Sequence, residues 1–301
     1  MASGSLTRTK VRSAWLFVLP MLAVIALVAL WPLIRTFYFS MTTATLRNLD
    51  GSFVGLENFI DPTFGLMTDP YWWRSVYNTL FFSAVSVALE TVCGLLVALL
   101  LHRNIPGRGF LRAAILVPWA LPTIVAGRMW HWMLNDQFGI INAMLVTIGL
   151  IDSPIAWTAS PNTAMAAMII VDVWKTTPFM ALMILAGLQM LPSDCYEAAR
   201  IDGVHPLKVF WRVTLPLLQP AIVVAIVFRL LDTLRVFDLF YIMTTGTRDM
   251  MSMSMYARYQ LIENQDVGYG SAISTALFAI IAIAAIAVIY FTRFRMSGDR
   301  S

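Results

Sequence analysis

Residues 191–216 read Leu-Pro-Ser-Asp-Cys-Tyr-Glu-Ala-Ala-Arg-Ile-Asp-Gly-Val-His-Pro-Leu-Lys-Val-Phe-Trp-Arg-Val-Thr-Leu-Pro. This stretch separates two strongly apolar segments, yet its residues do not describe a slack connection. Ser193 or Asp194 is placed to cap a helix that begins just after it. The helix-forming run from Glu197 to Asp202 follows, and Gly203 offers a stop. A second short helix is predicted from about Pro206 to Val213, with the proline tolerated in its first turn. Leu207, Phe210 and Trp211 then share one apolar face, and Pro216 ends it. The expected result is a helix–turn–helix elbow between two spans. On these residues alone, an amphipathic segment lying along a membrane surface stays open as a reading.

Working outward, the rest of the chain is oily. Of 301 residues, 59% are hydrophobic and only 13% are charged, whereas soluble domains carry about 25% charged residues. A water-soluble protein of this size has no interior large enough for so much apolar surface, and disordered chains are polar and poor in aromatics. A bilayer core takes roughly 20 apolar residues of helix to cross. Six segments qualify, at about 14–34, 75–101, 113–134, 163–188, 219–245 and 270–292. The first is too long for the apolar core of a secretory leader and has no obvious small-residue cleavage site. It reads as a retained span. The fold class predicted is an all-α polytopic membrane protein with six transmembrane helices.

Lys and Arg set the orientation, because cytoplasmic loops carry the excess. With the N-terminus inside, twelve of the 21 Lys and Arg fall on the cytoplasmic side, five outside and four within spans. Both termini are therefore expected in the cytoplasm, with residues 1–13 as an N-terminal segment, 14–292 as the membrane domain and 293–301 as a tail. The 191–218 loop falls on the basic side.

Several chemistries find no support. The phosphate-binding pattern G-x-x-x-x-G-K-[ST] is missing, as are H-E-x-x-H and G-x-S-x-G. His102, His131 and His205 are scattered, and Cys93 and Cys195 make no framework. No catalytic residue, metal site or cofactor is expected on this chain. A net charge of +4 without a dense basic stripe argues against nucleic acid.

The string Glu197-Ala198-Ala199-x3-Gly203-x9-Val213-x-Leu215-Pro216 resembles the EAA loop of binding-protein-dependent ABC importer permeases. Every position of the family form E-A-A-x3-G-x9-[IV]-x-L-P is matched. Val54-Gly-Leu-Glu-Asn-Phe59, Trp174-Lys-Thr-Thr-Pro-Phe179 and Phe228-Arg-Leu-Leu-Asp-Thr-Leu-Arg-Val-Phe-Asp238 resemble further segments of the carbohydrate branch, the maltose, trehalose and glycerol-3-phosphate type, and its first permease subunit in particular. Two departures stand out: Thr244-Thr-Gly-Thr-Arg248 replaces the usual T-x-G-G-P, and Val204-His205 follows the motif glycine.

The resemblance implies a type I importer architecture with a cytoplasmic coupling helix. It also implies a second permease subunit forming a heterodimer, two ATP-binding subunits that hold ATP and magnesium, and an extracytoplasmic solute-binding protein. In that frame Glu197, Ala198, Ala199, Asp202, Gly203, Leu215 and Pro216 dock the ATPase. The same resemblance points to Asp172, Lys175, Thr176, Phe179, Arg229, Asp232, Thr233 and Val236 as lining a sugar path, in a bacterial or archaeal inner membrane.

Charges within spans are costly and must face protein or water. Asp172 and Lys175 are i,i+3 neighbours. Arg229, Asp232, Arg235 and Asp238 repeat every three residues with alternating sign, a spacing for pairing along one helix. Arg235 and Asp238 read as internal glue, and Glu90 as a partner for Arg128 or a neighbouring chain. The Met-rich run 250–255 reads as a soft outer-loop surface, core-like packing in the first place and a contact for the binding protein in the second. An ion-coupled carrier is the alternative, since buried carboxylates can carry protons, but such a carrier has no need of the 197–216 motif.

Overall fold

The computed structural model describes the backbone of residues 3–103, 106–244 and 247–298. Side chains of 1–10, 12, 162, 289 and 291–301 lie outside the described residues. The basic clusters Arg8, Lys10, Arg12 and Arg293, Arg295, Arg300 fall there, as do Thr245 and Gly246 of the divergent turn.

The described residues are almost wholly helical, with two isolated β-bridges. Among the described residues five helices are long and apolar enough to cross a membrane, and a bent pair makes a sixth if it is counted as one span. The first, α1, is apolar from Ser13 to Phe39 and carries a π turn at Ala26–Leu30. The others are α2 (Pro70–His102), the pair α3 (Arg108–Ala120) and α4 (Thr123–Met133), α5 (Pro161–Gln189), α6 (Pro206–Thr233) and α7 (Val267–Gly298). Large apolar side chains stand exposed all along α1, Phe17 at 86% and Leu27 at 73%. Such a surface is stable only in an apolar solvent.

Three expectations are corrected here. The third span is not one rod: α3 and α4 meet at 88°. Leu121 is extended before Pro122 (ψ 136°), as a residue preceding proline prefers. The fifth span also breaks, at 234–237, before a short helix Asp238–Met243. Pro216, thirdly, does not stop its helix. A π turn at Phe210–Thr214 joins the elbow to α6, and the helix runs on to Thr233. The wider turn carries the chain past a residue with no N–H to give to the carbonyl four back.

The chain forms two compact units. Residues 1–69 and 257–276 make one. In it, Asn58 donates to the carbonyls of Ser40 and Thr42, each at 2.9 Å, and Tyr269 donates to Asp69 at 2.6 Å. Residues 70–256 and 277–301 make the other, and it holds every candidate site residue. Within it α2, α5 and α6 pack on an apolar core of Ala98, Leu101, Ile184, Leu185, Leu188 and Leu218. Close approach demands glycine at two crossings. A Cβ on Gly94 would come within 2.7 Å of Met180, and one on Gly187 within 2.4 Å of Ala221. The Met-rich run packs as expected, with Met250, Met251, Met253 and Met255 buried. It is pinned to α2, where Asn78 donates to the carbonyls of Asp249 and Met251 and Thr79 accepts from the Met253 amide.

Candidate functional site

Where α6 ends, the chain opens a polar hollow in an otherwise oily unit. Amides at 235 and 236 turn back to carbonyls three residues earlier, tightening the last turn. The Val236 carbonyl, freed by the break, accepts from the Ser252 hydroxyl at 2.7 Å. The hollow beside this break has a volume of about 220 Å³, and a second of about 290 Å³ adjoins it. Lys175, Thr176, Arg229, Asp232 and Arg235 line both. Asp172, Thr233 and Val236 line the first, and Phe179 lines the second. All eight residues expected on the path thus line these hollows, from α5, from α6 and, for Val236, from the break that follows α6.

Behind the wall lies an ionic knot. Arg229 is 4% exposed in its side chain and donates from Nε to Glu90 at 2.6 Å and from Nη2 to Glu90 at 2.8 Å. Nη2 also donates to Asp172 at 3.0 Å, and Nη1 donates to Asp232. The Thr176 hydroxyl reaches Glu90 at 2.6 Å. One guanidinium therefore faces three carboxylates, which is how buried charge of this density is tolerated. Glu90 pairs with Arg229, not with Arg128. The i,i+3 pairing of Arg229 with Asp232 is present. Asp172 takes Arg229 as partner, and among the described residues Lys175 makes no ion pair.

Arg235 and Asp238 do not act as glue. The break removes the helical register that would have paired them. Both are exposed, both line the hollow, and neither makes an ion pair among the described residues. Two aromatic neighbours went unread in the sequence. Trp119, at the end of α3, stacks on Phe179 with ring centroids 5.9 Å apart and planes at 26°, and Phe228 lines the same hollow. The signal for Trp119 was its place just before Pro122, where the bend turns it.

The elbow residues form a separate group. The helix Ser193–Ile201 has Pro192 at its cap position and no side-chain cap bond, so neither Ser193 nor Asp194 caps it. Its far end is a Schellman motif: the Gly203 amide donates to Arg200 and the Val204 amide to Ala199. Gly203 has φ +65°, and nothing stands within 4 Å of a Cβ placed there. Glycine is needed for the backbone conformation, not for space. Glu197, Ala198, Asp202 and Pro216 are exposed, and Ala199 and Leu215 are half-buried. Tyr196 donates to Thr214 in the π turn at 3.1 Å, tying the elbow to the base of α6.

The sequence profile described as "Binding-protein-dependent transport system inner membrane component" matches residues 90–297. The chain belongs to this family. It is 40% identical over 98% of its length, and 99% of the relative's, to the trehalose/maltose transport system permease protein MalF of Thermococcus litoralis. It is 36% identical to the sulfoquinovosyl glycerol transport system permease protein SmoG of Agrobacterium fabrum, over 89% of this chain and 86% of the other. A chain in the crystal structure of a bacterial alginate ABC transporter, in complex with a periplasmic protein bound to alginate pentasaccharide, shares the fold. It matches with TM-score 0.79 at 20% identity, over 97% of both chains. The molecule is an inner-membrane, multi-pass permease component of an ABC transporter, and the chemistry of ATP belongs to other subunits of such systems.

Proposed function

We infer that this permease is one half of the membrane core of an ATP-driven sugar importer, and that its substrate is a disaccharide or related glycoside of the trehalose or maltose kind. The observation that carries the reading is the 40% identity to a trehalose/maltose permease over nearly the whole of both chains. The hollow supports it. Sugar hydroxyls both donate and accept, and the wall offers Lys175 and Arg235 as donors and Asp172, Asp232 and Asp238 as acceptors. Trp119 and Phe179 supply the flat apolar face on which a pyranose ring packs.

A second permease subunit completes the path, two ATP-binding subunits carry ATP and magnesium, and an extracytoplasmic solute-binding protein delivers the sugar. The membrane domain is 14–292, with 1–13 and 293–301 in the cytoplasm, as the Lys and Arg distribution favours. The exposed Glu197, Ala198 and Asp202, with the half-buried Ala199 beside them, Gly203 as the turn and Leu215 and Pro216 at the base, dock the ATPase. From Pro206 to Arg229 the helix spans roughly 35 Å at 1.5 Å per residue. A push on the docking helix passes through the Gly203 turn and the Tyr196–Thr214 bond to the base of α6, and from there a continuous helix carries it to the hollow. Two of the three carboxylates that line the hollow, Asp172 and Asp232, are held by Arg229, an arrangement suited to a fixed wall more than to proton carriage.

The test is reconstitution of the complete transporter in liposomes. Binding protein loaded with trehalose is expected to stimulate ATP hydrolysis and to drive trehalose uptake. Asp232→Ala is expected to cut uptake while the complex still assembles. Uptake powered by an ion gradient in the absence of ATP would overturn the reading.

A further inference from the structure

Glu90 lines neither hollow and is fully buried in α2, yet it takes two of the four side-chain contacts that Arg229 makes. A guanidinium has five N–H groups. Here Nε and Nη2 grip both oxygens of Glu90, and Nη2 and Nη1 reach Oδ2 of Asp172 and Oδ2 of Asp232. Four donor contacts are made inside the protein, so Arg229 keeps little to offer a solute. The two aspartates differ. Each gives Oδ2 to Arg229, and both line the hollow, Asp172 at 13% and Asp232 at 63% side-chain exposure.

We propose that Glu90 is a positioning residue: through Arg229 it fixes Asp172 and Asp232 as a pair of hydroxyl acceptors on the wall of the sugar path. The physical reason lies in the length of arginine. Its side chain is long and rich in rotamers, and a bidentate carboxylate from another helix is what holds its plane. Without that grip the guanidinium is free to swing between the aspartates or into the hollow. A cation there would take up the acceptor oxygens meant for the solute. Arg229 then serves as a bracket for the path and not as a contact to the sugar. This rests on the sugar-path reading above.

The experiment uses the full complex with its binding protein in liposomes, with radiolabelled trehalose as the probe. The quantity read is trehalose moved per ATP hydrolysed, which does not depend on how much complex assembles. For Glu90→Gln the ratio is expected to fall about tenfold, the loss that one hydrogen bond supports. Arg229→Lys keeps the buried cation but loses the planar fork, and it is expected to lower the ratio similarly. Should Glu90→Gln fail to assemble, Arg229→Lys decides alone. Asp232→Asn should lower the ratio too, and combining it with Glu90→Gln should add little, since both act through one group. An unchanged ratio in both Glu90→Gln and Arg229→Lys, with Asp232→Asn reduced, overturns the positioning role and leaves the path standing. Failure of both to assemble also overturns it, because the knot is then a folding unit. An unchanged ratio in Asp232→Asn and in Trp119→Ala, or no trehalose uptake by the unaltered complex, overturns the path reading and this one with it.

Discussion

The ionic knot and the elbow hang on the same helix, α6, and are built in opposite ways. The knot joins residues from three helices that are far apart in sequence, Glu90, Asp172 and Arg229, and only Asp232 is a local, i,i+3 partner. The elbow is local. Its turn is closed by amides of 203 and 204 reaching back three and five residues, His205 caps the second helix by accepting from the Leu207 amide at 3.3 Å, and Tyr196 bonds to Thr214. Buried charge makes the knot cooperative: removing one member strands the rest. Exposure makes the elbow tolerant in stability and sensitive in shape.

That contrast can be broken by substitution, starting with the knot. Arg229→Met leaves Glu90 and Asp172 buried without a cation and should cost about 3–5 kcal/mol. Size-exclusion of detergent extracts should find little assembled complex, and normal yield would show that the knot is dispensable. Gly94→Val tests the packing beneath it. The added side chain meets Met180 at the α2–α5 crossing, and about 1–3 kcal/mol should be lost on denaturant unfolding in micelles. Gly203→Leu strains only the elbow. A left-handed residue with a side chain costs roughly 1–2 kcal/mol, so the protein should still insert. Its ATP hydrolysis in the complex should no longer respond to loaded binding protein, and normal uptake would count against the docking role. Tyr196→Phe is the mildest, removing one part-buried hydrogen bond worth about 0.5–1.5 kcal/mol. It should weaken the coupling of ATP hydrolysis to uptake without changing yield, and paired with Thr214→Val it should show no further loss.

The elbow was nearly complete in the sequence because everything that shapes it lies within a few residues: the glycine at the turn, the proline opening the second helix, the helix formers before them. What went unread there was the π turn, which lets Pro216 sit within a continuing helix. Residues for the hollow were legible as intramembrane charges, since their cost demands a reason. Their partners were not. Arg229 is as near in sequence terms to Asp232 and Arg235 as to any other charge, and nothing in the spacing singles out Glu90 from 139 residues away. Arg235 and Asp238 were misread because a period of three predicts pairing only if the helix continues, and it ends at Thr233.

By itself the sequence determined that the chain lives in a membrane, which segments are apolar enough to cross it, and the form of the exposed elbow. Those follow from local composition and short-range spacing, and a bilayer reads both one segment at a time. Only the tertiary structure decided where spans three and five break, which carboxylates Arg229 serves, and that Trp119 faces Phe179. Each of those is a choice among partners in different helices. It is settled by how the helices pack, because a buried charge or ring takes the neighbour that geometry brings within reach.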